Sequence, residues 1–183
     1  MTRNTISRSL HDLGLAAWFG GTLANAVALN PAAGNAQSAD ASGAVANEGW
    51  DRWTPVNAAA IGAHILGSLG QIGGNAGRIQ GQKGVPSMVI GKTALTAAAL
   101  GVTAYSRALG KTVDAHKNVP VASGTQPSAA TPPEVAAAQK KLAALQWAVP
   151  ALTGALIVVS SFAGEQQRAS QVRSGVLRRV LPG

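Results

Sequence analysis

The amino-acid sequence predicts an all-α fold: an integral membrane bundle of four transmembrane helices, followed by a short basic C-terminal interfacial helix. Three observations lead to this fold class. Charged residues make up only 12% of the 183 residues, about half of the roughly 25% that is usual in soluble domains. Four apolar stretches approach the ~20 residues that a helix needs to cross a bilayer. Most basic residues lie beside these stretches rather than within them.

The four predicted spans organise residues 1–183 into a single membrane domain. None contains aspartate or glutamate, which are costly in contact with hydrocarbon. The spans cover residues 13–29, 55–76, 87–109 and 142–163. The connections are a small, slightly acidic one at 31–52, a short basic one at 77–86, and an outer loop without its own core at 111–133.

Proline near the start of three segments favours helix over strand. Thr-Pro occurs at 54–55 and Val-Pro at 85–86, and proline fits the first helical turn because the N–H groups there lack intrahelical partners. The sequence Thr-Pro-Pro-Glu at 131–134 adds the pattern of a capping box. The fourth helix should therefore begin near Pro132 and extend about 15 Å beyond the membrane at ~1.5 Å per residue. Pro150 should kink it within the span.

The distribution of lysine and arginine predicts the orientation in the cell membrane. The N-terminus, the connection at 77–86 and the C-terminal tail share one side of a four-span topology and hold eight basic residues. The connection at 31–52 holds one arginine and three acidic residues, whereas the third connection is mixed. Because basic residues concentrate on the cytoplasmic side, both termini should be cytoplasmic. Trp50 and Trp53 should then anchor the outer interface.

Composition argues against several other classes of protein. The chain has no cysteine, which excludes disulfides and thiolate-based metal sites or catalysis. Its net charge is +8, but aromatic residues make up only 4% and are not interleaved with the basic ones, so we expect no nucleic-acid binding. Gly91-Lys92-Thr93 is similar to the end of a phosphate-binding loop, but Pro86 stands where the motif requires glycine.

A cleaved signal peptide is the alternative to the first span. The early arginines and the apolar stretch would suit one. Asp12, however, adjoins that stretch, and Asn25 interrupts it. A retained first span is therefore the preferred interpretation.

Three ionisable side chains within or near the spans are candidate functional groups. Lys92 lies inside the third span, where a charge marks either a substrate or proton site or a side chain that snorkels to the nearby interface; snorkelling is preferred. His11 and His64 should differ in depth by about 15 Å at ~1.5 Å per residue, so they should not hold a haem or a metal together. No catalytic residue, metal site or cofactor is predicted.

The second span is unusually polar. Spacings of three and four place His64, Ser68, Gln71 and Asn75 along one side of the helix, among several glycines that permit close helix packing. These side chains should hydrogen-bond to neighbours such as Asn25 or line a polar cavity. The sequence leaves both possibilities open, and packing is the preferred one.

Small residues recur every four positions on two other spans and predict ridges for close helix packing. They are Ala16, Gly20, Ala24 and Ala28 on the first span, and Thr93, Ala97 and Gly101 on the third.

The tail at 165–183 predicts a basic helix on the cytoplasmic leaflet, with a partner-docking helix as the alternative. Val172, Val176 and Val180 recur at helical spacing among basic residues. At ~1 kcal/mol per basic residue near an anionic surface, four arginines could hold the tail on lipid. The predicted interfacial lipid contacts are Arg168, Arg173, Arg178 and Arg179.

Four segments resemble a family of uncharacterised actinobacterial membrane proteins. They are HDLGLAAWFGGTLANAVALN at 11–30, WDRWTPVNAAAIGAH at 50–64, KTALTAAALGVTAYSRALG at 92–110 and PPEVAAAQKKLAALQWAVPALTGAL at 132–156. The resemblance implies a four-span membrane protein and carries no activity, cofactor or site residue.

The sequence thus predicts a non-enzymatic membrane protein, an accessory or structural subunit of a larger membrane assembly. Its partners would be the lipid bilayer and other membrane protein subunits or further copies of itself. The small-residue ridges and the polar second span favour this function because both require protein neighbours. The alternatives are a small transporter or channel-like protein with a polar path along the second span, and a protein that binds lipid or quinone between its helices.

Overall fold

The structure, a computed structural model, describes residues 4–116 and 119–180. The chain is mostly helical, which confirms the all-α prediction, and a short antiparallel hairpin is added to the helices. The helices are α1 (Thr5–Ala24), which continues through a π-helical turn (Asn25–Leu29) into α2 (Asn30–Ala33), then α3 (Ala39–Gly74), α4 (Ala76–Gly81), α5 (Val85–Ala115), α6 (Pro133–Glu165) and α7 (Ala169–Val180). The hairpin pairs β1 (Val121–Ser123) with β2 (Gln126–Pro127).

The four long helices pack in the order α3, α1, α6, α5. Helix α1 contacts both α3 and α6, and α5 packs along α6, whereas α3 and α5 are not packed closely along their length. One apolar cluster joins all four helices at mid-height, where the fully buried Trp18 meets Ala60, Ala99 and Val149. The bundle is therefore closed at its centre and open between α3 and α5 on either side of Trp18.

Glycines determine how closely α1 approaches α3. Gly67 of α3 lies against the backbone of Ser7 and His11, and Gly14 of α1 lies against the backbone of His64. A side chain at either glycine would overlap backbone atoms of the facing helix. The close approach that we predicted from the glycines of the second span is confirmed at this seam.

The predicted small-residue ridges lie elsewhere. All seven residues are exposed and take no part in the α1–α3 seam: Ala16, Gly20, Ala24, Ala28, Thr93, Ala97 and Gly101. Spacing alone could not distinguish the ridges from the seam, because α1 carries small residues on two of its faces.

Helix α3 begins sixteen residues before Pro55, so the predicted start at 54–55 is wrong. Ser38 caps the helix by accepting a hydrogen bond from the N–H of Ala41 at 3.2 Å. Pro55 is accommodated inside the helix, where Thr54 donates its hydroxyl to the carbonyl of Trp50 at 2.7 Å. Much of the predicted 31–52 connection is therefore helical.

The other proline signals predicted helix starts correctly. Helix α5 begins at Val85, directly after Gly84 in the left-handed region at φ 89°, and α6 begins at Pro133. The capping box at 131–134 does not form, because the Thr131 hydroxyl donates to the carbonyl of Pro120 at 2.5 Å instead.

The hairpin, α2 and the adjoining ends of α3 and α6 form a compact unit that we call the head. The Gln139 amide donates to the carbonyl of Ser123 at 3.2 Å, and the N–H of Gly124 donates to the carbonyl of Asn30 at 3.1 Å. Val121 is only 2% exposed. This part of the predicted loop at 111–133 is therefore ordered, because it folds onto the helix ends, and its location outside the cell stays a prediction.

Two of the described helices, α5 and α6, are long and apolar enough to cross a membrane, judged by length and composition. The most apolar windows of these helices are only 11% and 22% buried inside the protein, respectively. Helices α1 and α3 do not meet the same hydropathy criterion. A four-span bundle is therefore not confirmed at this level.

The α1–α3 seam yields a stability prediction. Gly67→Ala should lower the free energy of unfolding by about 1–3 kcal/mol, because the new Cβ would meet backbone atoms that cannot move independently. Gly62→Ala is the matched control on the same helix, since its Cβ would meet nothing within 4 Å. The free energy of unfolding of the control should equal that of the unmodified protein or exceed it by up to about 1 kcal/mol. Unfolding in mild detergent, followed by circular dichroism, would measure both, and equal effects would refute the seam.

Candidate functional site

Two histidines meet in the interior, between α1 and α3. The rings of His11 and His64 lie 4.6 Å apart between centroids, and both side chains are almost fully buried. The predicted depth difference of about 15 Å is therefore wrong. Helices α1 and α3 run antiparallel, and the contact of Gly67 with His11 brings His64, one turn away on α3, to the same level.

A chain of polar contacts continues from these rings to α5. The Nδ1–H of His11 donates to the carboxylate of Asp12 at 2.7 Å, and the Lys92 ammonium donates to His11 Nε2 at 3.0 Å. The Asp12 carboxylate favours the tautomer with the proton on Nδ1, which leaves the Nε2 lone pair for the ammonium. Lys92 thus donates to a buried histidine, a contact that the sequence did not predict, and snorkelling to the interface stays a prediction.

A polar cavity of about 520 Å³ adjoins this chain at the end of the bundle that carries both termini. Its lining includes Arg8, Asp12, Gln71, Ser160 and Glu165. The amide nitrogen of Gln71 and the hydroxyl of Ser160 are buried without a partner among the described residues. The cavity is polar and large enough to hold water beside His11.

The predicted polar cluster does not form one site. His64 contacts Thr96 and the carbonyl of His11, each at 3.4 Å, and Ser68 donates to the His64 carbonyl within its own helix at 2.8 Å. Asn25 is distant from His64. It lies eleven residues beyond Gly14, which faces His64, or about 16 Å along the helix at ~1.5 Å per residue. The amide of Asn25 is buried without a partner in the described part of the chain.

The remaining two members of that cluster face the open side of the bundle. The amide of Asn75 donates to the carbonyl of Gln71 at 2.7 Å. Its side-chain oxygen accepts a bond from Arg78 at 3.1 Å. The polar side of the second span thus combines packing at His64 with cavity lining at Gln71 and Asn75.

No continuous polar path crosses the described part of the bundle. Trp18, Ala60, Ala99 and Val149 fill the interior at the level just beyond His64. The polar cavity lies on one side of this apolar layer and the head on the other. This arrangement gives no support to the channel-like alternative.

The opening between α3 and α5 forms a groove on the side of the termini, with a cavity of about 310 Å³. We call it the basic groove. Its walls are mainly apolar and include Leu69, Met88 and Leu100. Two cations, Arg78 and Lys92, line it, and no aspartate or glutamate is among its lining residues.

Three neutral acceptors hold the guanidinium of Arg78 in place. It donates to Gln82 Oε1 at 3.1 Å, to Asn75 Oδ1 at 3.1 Å and to the carbonyl of Gln166 at 2.9 Å. No acidic side chain pairs with it in the described ranges. Burial lowers the pKa of Arg78, but arginine remains charged at neutral pH. Sequence reasoning used Arg78 only as a topology signal. Two of its partners, Asn75 and Gln82, are close in sequence, and only the carbonyl of Gln166 comes from a distant part of the chain.

The tail helix is present as α7 and is attached to the basic connection through the N–H of Lys83, which donates to the carbonyl of Gly175 at 3.2 Å. Arg173 and Arg178 are exposed, and Arg168 pairs with Glu165 at 2.8 Å. The side chain of Arg179 lies outside the described residues. The predicted basic surface is therefore formed in part, and its contact with lipid stays a prediction.

Trp50 and Trp53, which we predicted to anchor an interface, turn inward. Trp50 donates its indole N–H to Asn30 Oδ1 at 3.0 Å, and the ring of Trp53 lies against Gly21. Both line a further cavity of about 240 Å³ between α3 and α5, beneath the hairpin. We call it the head cavity.

Comparison with protein-family models, curated proteins and solved structures gives no match. The resemblance to actinobacterial membrane proteins therefore stays a prediction. No group of three or more histidine, aspartate or glutamate side chains that could hold a metal ion occurs in the described ranges. The function is therefore inferred from the geometry of the cavities.

The contact between His11 and Lys92 can be tested with a double-mutant cycle. His11→Ala and Lys92→Met should show a coupling of about 1 kcal/mol in the free energy of unfolding. Each substitution removes the hydrogen-bond partner of the other side chain, so the second substitution costs less once the first is made. The exposed Lys83 serves as the control, since it does not contact His11. His11→Ala and Lys83→Met should be additive. Additivity in the first pair would contradict the observed contact.

Proposed function

We propose that this protein is a non-enzymatic multi-pass protein of the cell membrane that binds an anionic lipid of the cytoplasmic leaflet in the basic groove. One observation carries the proposal. The groove has apolar walls and two cations, without an acidic residue among its lining. An anionic amphipathic molecule matches this combination, because its charged group can pair with the cations and its hydrocarbon chain can pack against the apolar walls.

The distribution of apolar side chains supports a membrane location for all four long helices. Leu13, Leu66, Ile90 and Phe162, one from each helix, are more than 60% exposed. The interior, by contrast, holds polar side chains such as His64. A soluble helical core would show the opposite distribution. Helices α5 and α6 are also much less buried than core helices of a soluble protein would be.

The charges support cytoplasmic termini. By chain position, the end with both termini holds eight lysines and arginines and two acidic residues, not counting the more deeply placed Lys92. The head end holds six basic and five acidic residues. The positive-inside rule places the more basic end in the cytoplasm. The basic groove then opens at the level of the cytoplasmic leaflet, which carries anionic lipids.

Arg78 is suited to a lipid phosphate. Its three neutral acceptors fix the plane of the guanidinium and use three of its five N–H groups. The remaining N–H groups and the full charge are available for an oxygen pair of a phosphate. Ile72, Ile79 and Met88 on the groove walls offer an apolar surface to an acyl chain.

A second candidate function is that of an accessory subunit. Helix α1 carries the exposed small residues Ala16, Gly20 and Ala24 of the predicted ridge, and Ala28 follows in the π-helical turn. Ridges of this kind allow another membrane helix to approach closely. A partner subunit or a second copy on this face would leave the basic groove open, since the groove lies between α3 and α5.

The topology can be tested by labelling, because the chain has no native cysteine. Gln126→Cys in the hairpin and Ser174→Cys in α7 each place a thiol at an exposed position on opposite ends of the bundle. In intact cells a membrane-impermeant thiol reagent should label Gln126→Cys only, and permeabilisation should expose Ser174→Cys. Labelling of Ser174→Cys in intact cells would overturn the orientation, and labelling of neither would overturn the four-span topology.

Lipid binding can be tested with Arg78→Gln in nanodiscs that contain phosphatidylglycerol and phosphatidylcholine. Loss of a charge-assisted hydrogen-bonded pair should reduce the binding of phosphatidylglycerol about tenfold, as measured by native mass spectrometry. Lys83→Gln is the matched control, because it removes the same charge from the same end of the bundle but does not line the groove. It should retain the lipid.

Equal binding by Arg78→Gln and Lys83→Gln would show that only the general surface charge attracts lipid. That outcome would overturn lipid binding as the function and leave the accessory subunit. Circular dichroism and the unfolding midpoint of both variants would verify that the fold is intact.

A further inference from the structure

The basic groove and the polar cavity are neighbours at the end of the bundle that carries both termini. They share part of their lining, and four residues border both spaces: Gln71, Lys92, Ala163 and Gln167. Lys92 is the charged member of this shared wall. Its side chain starts on α5, and its ammonium reaches His11 on α1. Lys92 therefore extends along the boundary between the two cavities.

The hydrogen bond to His11 determines which cavity receives the charge of Lys92. The ammonium donates to His11 Nε2 at 3.0 Å. His11 lines the polar cavity but not the basic groove, whereas Arg78 lines the basic groove but not the polar cavity. The bond thus directs the ammonium to the side of the shared wall that faces away from Arg78.

This hydrogen bond requires a neutral imidazole. The Nδ1–H of His11 donates to the carboxylate of Asp12 at 2.7 Å, so only the lone pair on Nε2 can accept from Lys92. A proton on Nε2 turns this atom into a donor. The imidazolium and the ammonium would then repel each other, while Asp12 stabilises the imidazolium. Protonation of His11 therefore breaks its bond to Lys92.

His11 can exchange protons with the solution although its side chain is only 1% exposed. Its ring lines the polar cavity of about 520 Å³, which is large enough for water. The side chain of Asp12, bonded to the same ring, is 66% exposed. The proton therefore has a short polar route from the side of the termini.

The titratable and charged groups around His11 come from four helices: Arg8 and Asp12 on α1, His64 on α3, Lys92 on α5 and Glu165 on α6. Glu165 already pairs with Arg168 at 2.8 Å. His11 precedes the first predicted span. Burial, and after it the ammonium of Lys92, lowers the pKa of His11 from the ordinary 6.5, although Asp12 acts in the opposite direction. His11 is therefore neutral at neutral pH and takes up its proton on acidification.

A released Lys92 changes the basic groove. Its flexible four-carbon stem lets the ammonium turn from His11 to the groove, which Lys92 already lines beside Arg78. No aspartate or glutamate among the lining residues competes for it there. The proton on His11 also adds one positive charge behind the shared wall. Both changes favour an anion in the groove.

We propose that His11 is a pH sensor for the basic groove. When it takes up a proton from the side of the termini, it releases Lys92 to the groove and strengthens the binding of the anionic lipid. This inference rests on the proposed function and adds regulation to it. His64 takes no part in the release, because it lines neither the groove nor the polar cavity.

The experiment measures phosphatidylglycerol binding by the full chain at about pH 8 and about pH 5, the range in which histidine changes its charge. Nanodiscs of phosphatidylglycerol and phosphatidylcholine and native mass spectrometry provide the measurement. The unmodified protein should bind the lipid about three- to tenfold more tightly at the lower pH. The phosphate keeps its charge throughout this range, so the change reports on the protein.

Two variants test the bond from its two sides. His11→Gln keeps an acceptor near the position of Nε2 but cannot take up a proton, so it should lose the tightening at low pH. Lys92→Met should lose it as well, because His11 itself does not line the groove. If one variant does not fold, as judged by circular dichroism at both pH values, the other still decides the outcome.

The matched controls are the other two histidines of the chain. His64→Gln and His116→Gln should keep the pH response, since neither residue lines the groove or the polar cavity. Retention of the response by His11→Gln or Lys92→Met, or its loss in His64→Gln, would overturn the inference. Binding that does not change with pH would overturn this inference alone. Absence of binding at both pH values would overturn the proposed function as well.

Discussion

The close contact of α1 with α3 through glycine is the constraint on which the other features of the interior depend. Because Gly14 and Gly67 remove the side chains between the two backbones, the helices approach more closely than ordinary residues allow. His11 and His64 are thereby placed ring to ring. The same seam orients Trp18 towards the centre, where it meets α3, α5 and α6 at once. A wider separation of α1 and α3 would remove both arrangements.

The opening between α3 and α5 follows from this packing. Helix α3 is held by α1, and α5 is held by α6, so neither is required to contact the other along its length. Trp18 and its neighbours close the opening only at mid-height. Two cavities remain, one on each side of the apolar layer, and the chain gives them opposite charge: Arg78 and Lys92 at one, Asp51 and Asp114 with Arg107 at the other. The proposed lipid site rests on this division.

Sequence patterns predicted the helices better than their boundaries. Proline at the first turn correctly predicted the starts of α5 and α6, because that position has no intrahelical N–H partner to lose. The same reasoning failed at Pro55, where the preceding residues bury Ala46 and Ser42 against the head and extend α3. Tertiary contacts outweighed the local signal. The capping box failed for a similar reason, since Thr131 found a partner in Pro120.

The candidate sites were predicted only in part. His64, Gln71 and Lys92 were recognised as unusual because polar residues in apolar segments need partners, but their partners were not identified. The contact of His11 with Lys92 joins residues 81 positions apart, and the head cavity collects residues from α3, α5, α6 and the hairpin. Trp50 and Trp53 were assigned to an interface because tryptophan is common there, whereas Asn30 and Gly21 turn them inward.

The sequence by itself determined the helical class, the long apolar segments and the uneven distribution of basic residues, because these depend on local composition and spacing. Only the tertiary structure decided which faces meet. Several faces of α1 and α3 carry small residues at helical spacing, and a rotation of about half a turn around either helix axis would exchange seam and surface. Close packing at Gly14 and Gly67 selects one of these arrangements, and with it the positions of Trp18, the paired histidines and both cavities. The acidic and basic ends of the α3–α5 opening exist only because that choice leaves these two helices apart.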